Sequence, residues 1–115
     1  MKATVLATLL LAYCILAACT RSSPNAQLVQ ADSLMQKFPD SALHFLEKIR
    51  PEELNSLEDQ AYYALLVTQV QDKNYIFQEN DSLIRIAVQY YDSIKSTSMQ
   101  AKAHYYWGCI WRNRE

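Results

Sequence analysis

The stretch PDSALHFLEKI, Pro39 to Ile49, decides how this chain folds. Its apolar residues Ala42, Leu43, Leu46 and Ile49 recur at spacings of three and four, the period of a helix with one buried face. Asp40 is a good N-cap, and Arg50-Pro51 ends the helix because the residue before a proline avoids the α region. Upstream, Leu28, Ala31, Leu34, Met35 and Phe38 form an earlier stripe of the same kind, interrupted at Pro39-Asp40. Downstream, a third helix is predicted from about Ser56 to Asp72, with Leu57, Ala61, Ala64, Leu65 and Thr68 on its apolar side. Asn74 to Asn80 reads as a loop whose Tyr75, Ile76 and Phe77 fold back onto the core. Asp81 then caps a fourth helix that turns Leu83, Ile84, Ala87, Val88, Tyr91 and Ile94 inward. Ser96-Thr97-Ser98 separates it from a fifth, which carries Met99, Ala103, Tyr106, Trp107 and Ile110 and runs to Arg114 or Glu115. The expectation is an all-α chain of about five helices, joined by short turns and alternating in direction.

Composition agrees with that class. The chain has 115 residues, enough for one small domain, and 50% of them are hydrophobic, so a packed core is expected. Gly108 is the single glycine, and no valine-rich alternating run exists, which argues against hairpins of strands. Net charge is −1 with both signs interspersed. Lacking a basic block or stripe, this segment is not expected to bind nucleic acid.

The first residues are organised differently. Met1-Lys2 is followed by an apolar run from Ala3 to Ala18, shorter than the about 20 residues a membrane-crossing helix needs. It fits the hydrophobic region of a secretory signal. The run closes on Leu16-Ala17-Ala18-Cys19, which resembles the lipobox of bacterial lipoproteins. That resemblance implies cleavage before Cys19 and lipidation of its thiol. Residues 1–18 are then a signal peptide, 19–25 a polar tether, and 26–115 the helical region. An ordinary cleaved signal and an uncut anchor are the other readings. The odd cysteine count fits lipidation: Cys14 leaves, Cys19 carries lipid, and Cys109 remains alone without a disulfide partner.

The helices also repeat. PDSALHFLEKI and NDSLIRIAVQYYDSI (Asn80 to Ile94) each open with Asp-Ser, and Ala42, Leu46 and Ile49 match Ala87, Tyr91 and Ile94. Likewise QAYYALL (Gln60 to Leu66) matches KAHYYWG (Lys102 to Gly108), an offset of 42 residues that sets Ala61 and Tyr63 against Ala103 and Tyr105. Here the chain resembles a tetratricopeptide array, a family that repeats a helix pair about every 34 residues. His104, Trp107, Gly108 and Trp111 fall on that family's first-helix pattern, whose glycine marks the closest helix crossing. Leu66 stands at the glycine position of the other pair. With the lipobox, the order of segments is similar to the N-terminus of tetratricopeptide lipoproteins of Bacteroides-type bacteria. The resemblance implies stacked antiparallel helix hairpins in a solenoid, incomplete here because the aromatic fifth helix has no partner; self-capping by dimerisation through that helix is the alternative.

Chemistry has few candidates. His104 and Cys109 do not share a helix face, and His44 has only Asp40 and Glu47 one turn away. There is no phosphate loop, no H-E-x-x-H and no nucleophile elbow. Neither catalysis nor a metal or other cofactor is expected. More telling are the pairs Tyr62-Tyr63, Tyr90-Tyr91 and Tyr105-Tyr106, in which one ring can enter the core while its neighbour reaches outward. Peptide binding on the face lined by first helices, which the family resemblance implies, would use Gln60, Tyr63 and Val67 together with Lys102, Tyr105, Cys109 and Arg112. Of these, Tyr63, Lys102, Tyr105 and Arg112 would suit an extended, acidic peptide. The expected role is a lipid-anchored protein-interaction scaffold of the bacterial envelope, on the periplasmic face of the outer membrane and held there through Cys19. The alternative is the sensory N-terminal part of a transcriptional or signalling regulator.

Overall fold

Five α-helices follow one another without a strand in the computed structural model, which describes residues 25–114. The signal peptide, Cys19 and the tether before Asn25 lie outside the described residues. The helices are α1 (Ala26–Leu34), α2 (Pro39–Glu47), α3 (Leu57–Lys73), α4 (Ser82–Ile94) and α5 (Thr97–Arg112), with a 3-10 turn over Pro51–Glu53.

Local chemistry sets most of the boundaries. The Asn25 side chain accepts from the backbone N–H groups of Gln27 and Leu28, and the Ser56 hydroxyl accepts from Asp59 N–H, so α1 and α3 start on capping side chains. Two caps differ from expectation. Helix α2 starts two residues earlier than predicted: Phe38 occupies the cap position and Pro39 the first turn, where its fixed φ and missing N–H cost nothing. Asp40 therefore sits inside the first turn, where its charge suits the helix dipole. At α4, Asp81 holds the cap position without a capping bond. Asn80 Oδ1 accepts from Ser82 N–H instead, at 3.0 Å. The Asp81 carboxylate accepts from the Trp107 indole N–H, 2.8 Å away on α5.

Side-chain bonds give the helix directions. Asn74 at the end of α3 reaches the carbonyl of Pro39 at the start of α2, so α2 and α3 run antiparallel. Asp92 near the end of α4 meets Gln100 and His104 early in α5, and Asp81 meets Trp107 further along, so α4 and α5 are antiparallel too. By contrast, Asn25 meets Asp59 and Gln36 meets Lys73, which makes α1 and α3 parallel. Consecutive helices touch, and α3 also touches both α1 and α5. This is a stack of antiparallel hairpins in which α1, α3 and α5 form one layer and α2 and α4 pack beside it.

Two apolar clusters fill the stack. Leu28, Ala31 and Met35 of α1 meet Ala42, Leu46 and Ile49 around α2, with Leu54 and with Leu66 and Val70 of α3. Ala61, Ala64 and Leu65 on another side of α3 meet Ile84, Ala87, Val88 and Tyr91 of α4 and Ala103, Tyr106, Cys109 and Ile110 of α5. The thiol of Cys109 is buried there. Burial of a leucine or isoleucine side chain contributes roughly 1.5–3 kcal/mol.

Several residues assigned to the core are exposed. Leu57, 72% exposed, is the first residue of α3; Ile94 is the last of α4; Phe38 lies beyond the end of α1. Each continues an apolar stripe past the point where a neighbouring helix covers it. Tyr75, Ile76 and Phe77 do not fold back: Tyr75 is 95% exposed and adopts φ 57°. Polar groups anchor that loop. Asn74 Nδ2 donates to the carbonyls of Pro39 and Val70, and Gln78 Nε2 donates to that of Thr68. Gly108 does not mark a close crossing, for it is exposed and an added Cβ would meet nothing within 4 Å among the described residues.

Candidate functional site

The layer formed by α1, α3 and α5 places charged and aromatic side chains from three parallel helices on one surface. Asp32 on α1 is its hinge point. The Tyr62 hydroxyl of α3 donates to Asp32 Oδ2 at 2.5 Å, and Lys102 Nζ of α5 lies 4.0 Å from Asp32 Oδ1. Burial, then the bond to Asp32, raises the Tyr62 hydroxyl far above its ordinary pKa, so it stays a donor throughout the physiological range. Toward the other end of the same layer, Arg112 Nη2 lies 4.0 Å from Asp72 Oδ1. Tyr105, 60% exposed, stands between these pairs along α5. Hydrogen bonding to the Cys109 thiol raises its hydroxyl pKa, with Arg112 acting in the opposite sense.

Lys102, Tyr105 and Arg112 lie on the α3–α5 side, and Tyr63 does not join them. It faces a cavity of about 410 Å3 on another side of α3, lined by Pro51, Glu52, Leu54, Gln60, Leu83 and Ile86. Burial, then the Glu52 carboxylate, raises its hydroxyl pKa. Gln60 shares that cavity and donates to the Leu54 carbonyl at 2.8 Å. Val67 packs against the α1–α2 cluster, and Cys109 is buried.

Matching buried residues explains the discrepancy. Leu66 and Val70 occupy on α3 the places that Tyr106 and Ile110 occupy on α5, each facing the preceding hairpin. The pairs are 40 residues apart rather than 42. A two-residue slip on a helix turns a side chain by about 200°, so Tyr63 and Tyr105 face different neighbours. Asp32, Tyr62 and Asp72, which the sequence reading does not single out, are the residues that the structure sets beside Lys102 and Arg112. The 42-residue register pairs Tyr63 with Tyr105, whereas the packing pairs Tyr62 with Lys102 through Asp32.

The remaining candidates have structural partners or none. His104 Nε2 lies 3.0 Å from Asp92 Oδ1 across the α4–α5 turn and makes no pair with Cys109. That contact, with Gln100, lowers the Asp92 carboxyl pKa. His44 is exposed on α2, beside Asp40. Among the described residues, no group of three or more His, Cys, Asp or Glu is placed to hold a metal ion. The tyrosine pairs divide as expected in two cases: Tyr91 and Tyr106 are buried, their hydroxyls each pushed up to about 12, chiefly by burial, while Tyr90 and Tyr105 are more open.

No helix among the described residues is long and apolar enough to cross a membrane. Comparison with protein-family profiles, with curated proteins and with solved structures finds no match.

Proposed function

We propose that this chain is a lipid-anchored helical-repeat protein of the bacterial envelope, of the tetratricopeptide kind, which binds other proteins and performs no catalysis. The observation that carries this reading is the α1–α3–α5 layer, where parallel helices present Lys102, Tyr105 and Arg112 beside Asp32, Tyr62 and Asp72. Charged side chains alternating with an exposed aromatic on a rigid stack suit recognition of an extended segment. The tyrosine supplies contact area at low entropic cost, while the charges set register and exclude mismatched partners. Lys102 and Arg112 are each 4.0 Å from a carboxylate, an ion-pair distance that an acidic peptide can compete for. The motif Leu16-Ala17-Ala18-Cys19 supports anchoring, and lipid chains at Cys19 would keep the stack at a membrane surface, the periplasmic face of the outer membrane being the proposed site.

Two experiments test the two halves separately. Intact mass of membrane-extracted protein should show loss of residues 1–18 and added acyl mass at Cys19, both abolished by Cys19→Ser. An uncut leader without acyl mass would remove the anchor. Crosslinking in cells should recover a partner that a Lys102→Glu, Arg112→Glu double variant loses while its circular dichroism stays unchanged. Recovery of the same partner by that variant would remove the α1–α3–α5 face as the binding surface.

A further inference from the structure

Where α3 begins and α4 ends, three tyrosines surround one opening. Tyr62 of α3 and Tyr90 of α4, with the nearly buried Tyr91 behind them, line a cavity of about 270 Å3, and Glu58, Ile94, Ser96 and Met99 complete its walls. The Tyr90 and Tyr91 rings stand 5.4 Å apart with their planes 72° to one another, an edge-on contact that fixes the orientation of both. Tyr62 is fixed by its bond to Asp32. Glu58 sits in the first turn of α3 and has no ion-pair partner among the described residues, whereas its neighbour Asp59 is engaged by the Asn25 N–H. Ile94 is the member of the α4 stripe that the core leaves uncovered; here it acquires a role as an apolar rim.

The geometry points to a binding site for a trimethylammonium group. Aromatic faces attract a cation through the ring quadrupole, and the attraction grows as the site loses water. The free carboxylate of Glu58 adds charge complementarity at the opening. A quaternary ammonium is favoured over a primary one because it has no N–H groups to satisfy: the walls are mostly ring and aliphatic carbon, and burial of an unsatisfied donor is costly. The cavity lies below the ~300–1,000 Å3 of pockets for drug-sized ligands, which suits a head group more than an extended molecule. This site lies at the α3–α4 end of the stack, and its chemistry does not depend on the peptide-binding reading of Lys102, Tyr105 and Arg112.

Chemical-shift titration of the chain tests it, with choline, Nα-acetyl-trimethyllysine amide and the neutral isostere 3,3-dimethylbutan-1-ol as probes. A trimethylammonium probe should shift Tyr90, Tyr91, Ile94 and Met99 in the millimolar range and bind about 5-fold or more tightly than the isostere. Stronger binding of choline would identify a free ligand, and stronger binding of the trimethyllysine amide a modified side chain; either supports the site. Tyr90→Ala, at a half-buried position, should weaken binding about 10-fold, and Glu58→Gln, which removes charge without changing shape, should weaken it a few-fold with the fold intact. Equal affinity for choline and the isostere would make the cavity merely apolar. Absence of any millimolar response, or an unchanged affinity in both variants, would also overturn the proposal.

Discussion

Single residues carry the clearest departures from ideal backbone chemistry, and two of them predict a gain in stability. Gly108 lies within α5, where glycine destabilises a helix by roughly 0.5–1 kcal/mol relative to alanine. An added methyl would meet no atom within 4 Å among the described residues. Gly108→Ala should therefore raise the unfolding free energy by about 0.5–1 kcal/mol in urea melts; a loss would mean that another surface approaches this position. Lys95 ends α4 in the left-handed region at φ 55°, where a Cβ crowds the carbonyl. Glycine is the residue that helix ends of this shape prefer. Lys95→Gly should stabilise by about 1 kcal/mol, the relieved backbone strain exceeding the added unfolded-state entropy. An unchanged denaturation midpoint would show that the α4–α5 turn relaxes out of that conformation.

Elements were legible in the sequence wherever an apolar stripe lay between two neighbours, and illegible where it ran past them. Leu28, Ala31 and Met35, or Ile84, Ala87, Val88 and Tyr91, are buried as their spacing required. Periodicity measures a face along a helix but holds no information about where the covering helix stops, so Phe38, Leu57 and Ile94 were wrongly assigned inward. The loop Asn74–Asn80 failed for another reason: hydrophobicity suggested that Tyr75 and Phe77 anchor it, whereas Asn74 and Gln78 do so by hydrogen bonds that no apolar pattern reports. The candidate surface was half legible, since Lys102, Tyr105 and Arg112 came from one helix, and their partners Asp32, Tyr62 and Asp72 required the register between helices. Between α4 and α5, the Asp92–His104 contact is a latch with a pH signature. Its hydrogen bonds to His104 first and Gln100 second depress the folded-state pKa of Asp92. A depressed carboxyl pKa contributes stability above the unfolded value and loses it as pH falls through the folded value. In a carbon-detected titration Asp92 should accordingly titrate below the ordinary carboxylate range, and His104→Ala should move its midpoint upward. Melting at neutral pH should change little, because the pair is exposed. A midpoint that stays put in the variant would mean that the latch does not form in solution.

At the scale of the whole molecule, α3 is the member that joins the two clusters, and it does so with adjacent residues. Leu66 belongs to the cluster of Leu28, Met35, Ala42 and Leu46 of the first hairpin, while Leu65 belongs to that of Ile84, Ala87 and Tyr106 of the following helices. Both are fully buried, so truncation of either to alanine should cost about 2–5 kcal/mol. In a compact single core the two losses would be indistinguishable. In a stacked array, stability is a sum of nearest-neighbour terms and damage stays close to its origin. Hydrogen exchange should separate these cases. Leu66→Ala should strip protection from the amides of α1 and α2 while α4 and α5 keep most of theirs, and Leu65→Ala should do the reverse, with α3 weakened in both. The contacts favour this outcome, since α1 and α2 meet the second cluster chiefly through α3, the partly exposed Asp32–Lys102 pair being a direct link between α1 and α5. Equal loss across all five helices in both variants would show that α3 transmits the damage in full, making the five helices a single cooperative unit; the repeat pattern would then describe the geometry of the chain but not its energetics.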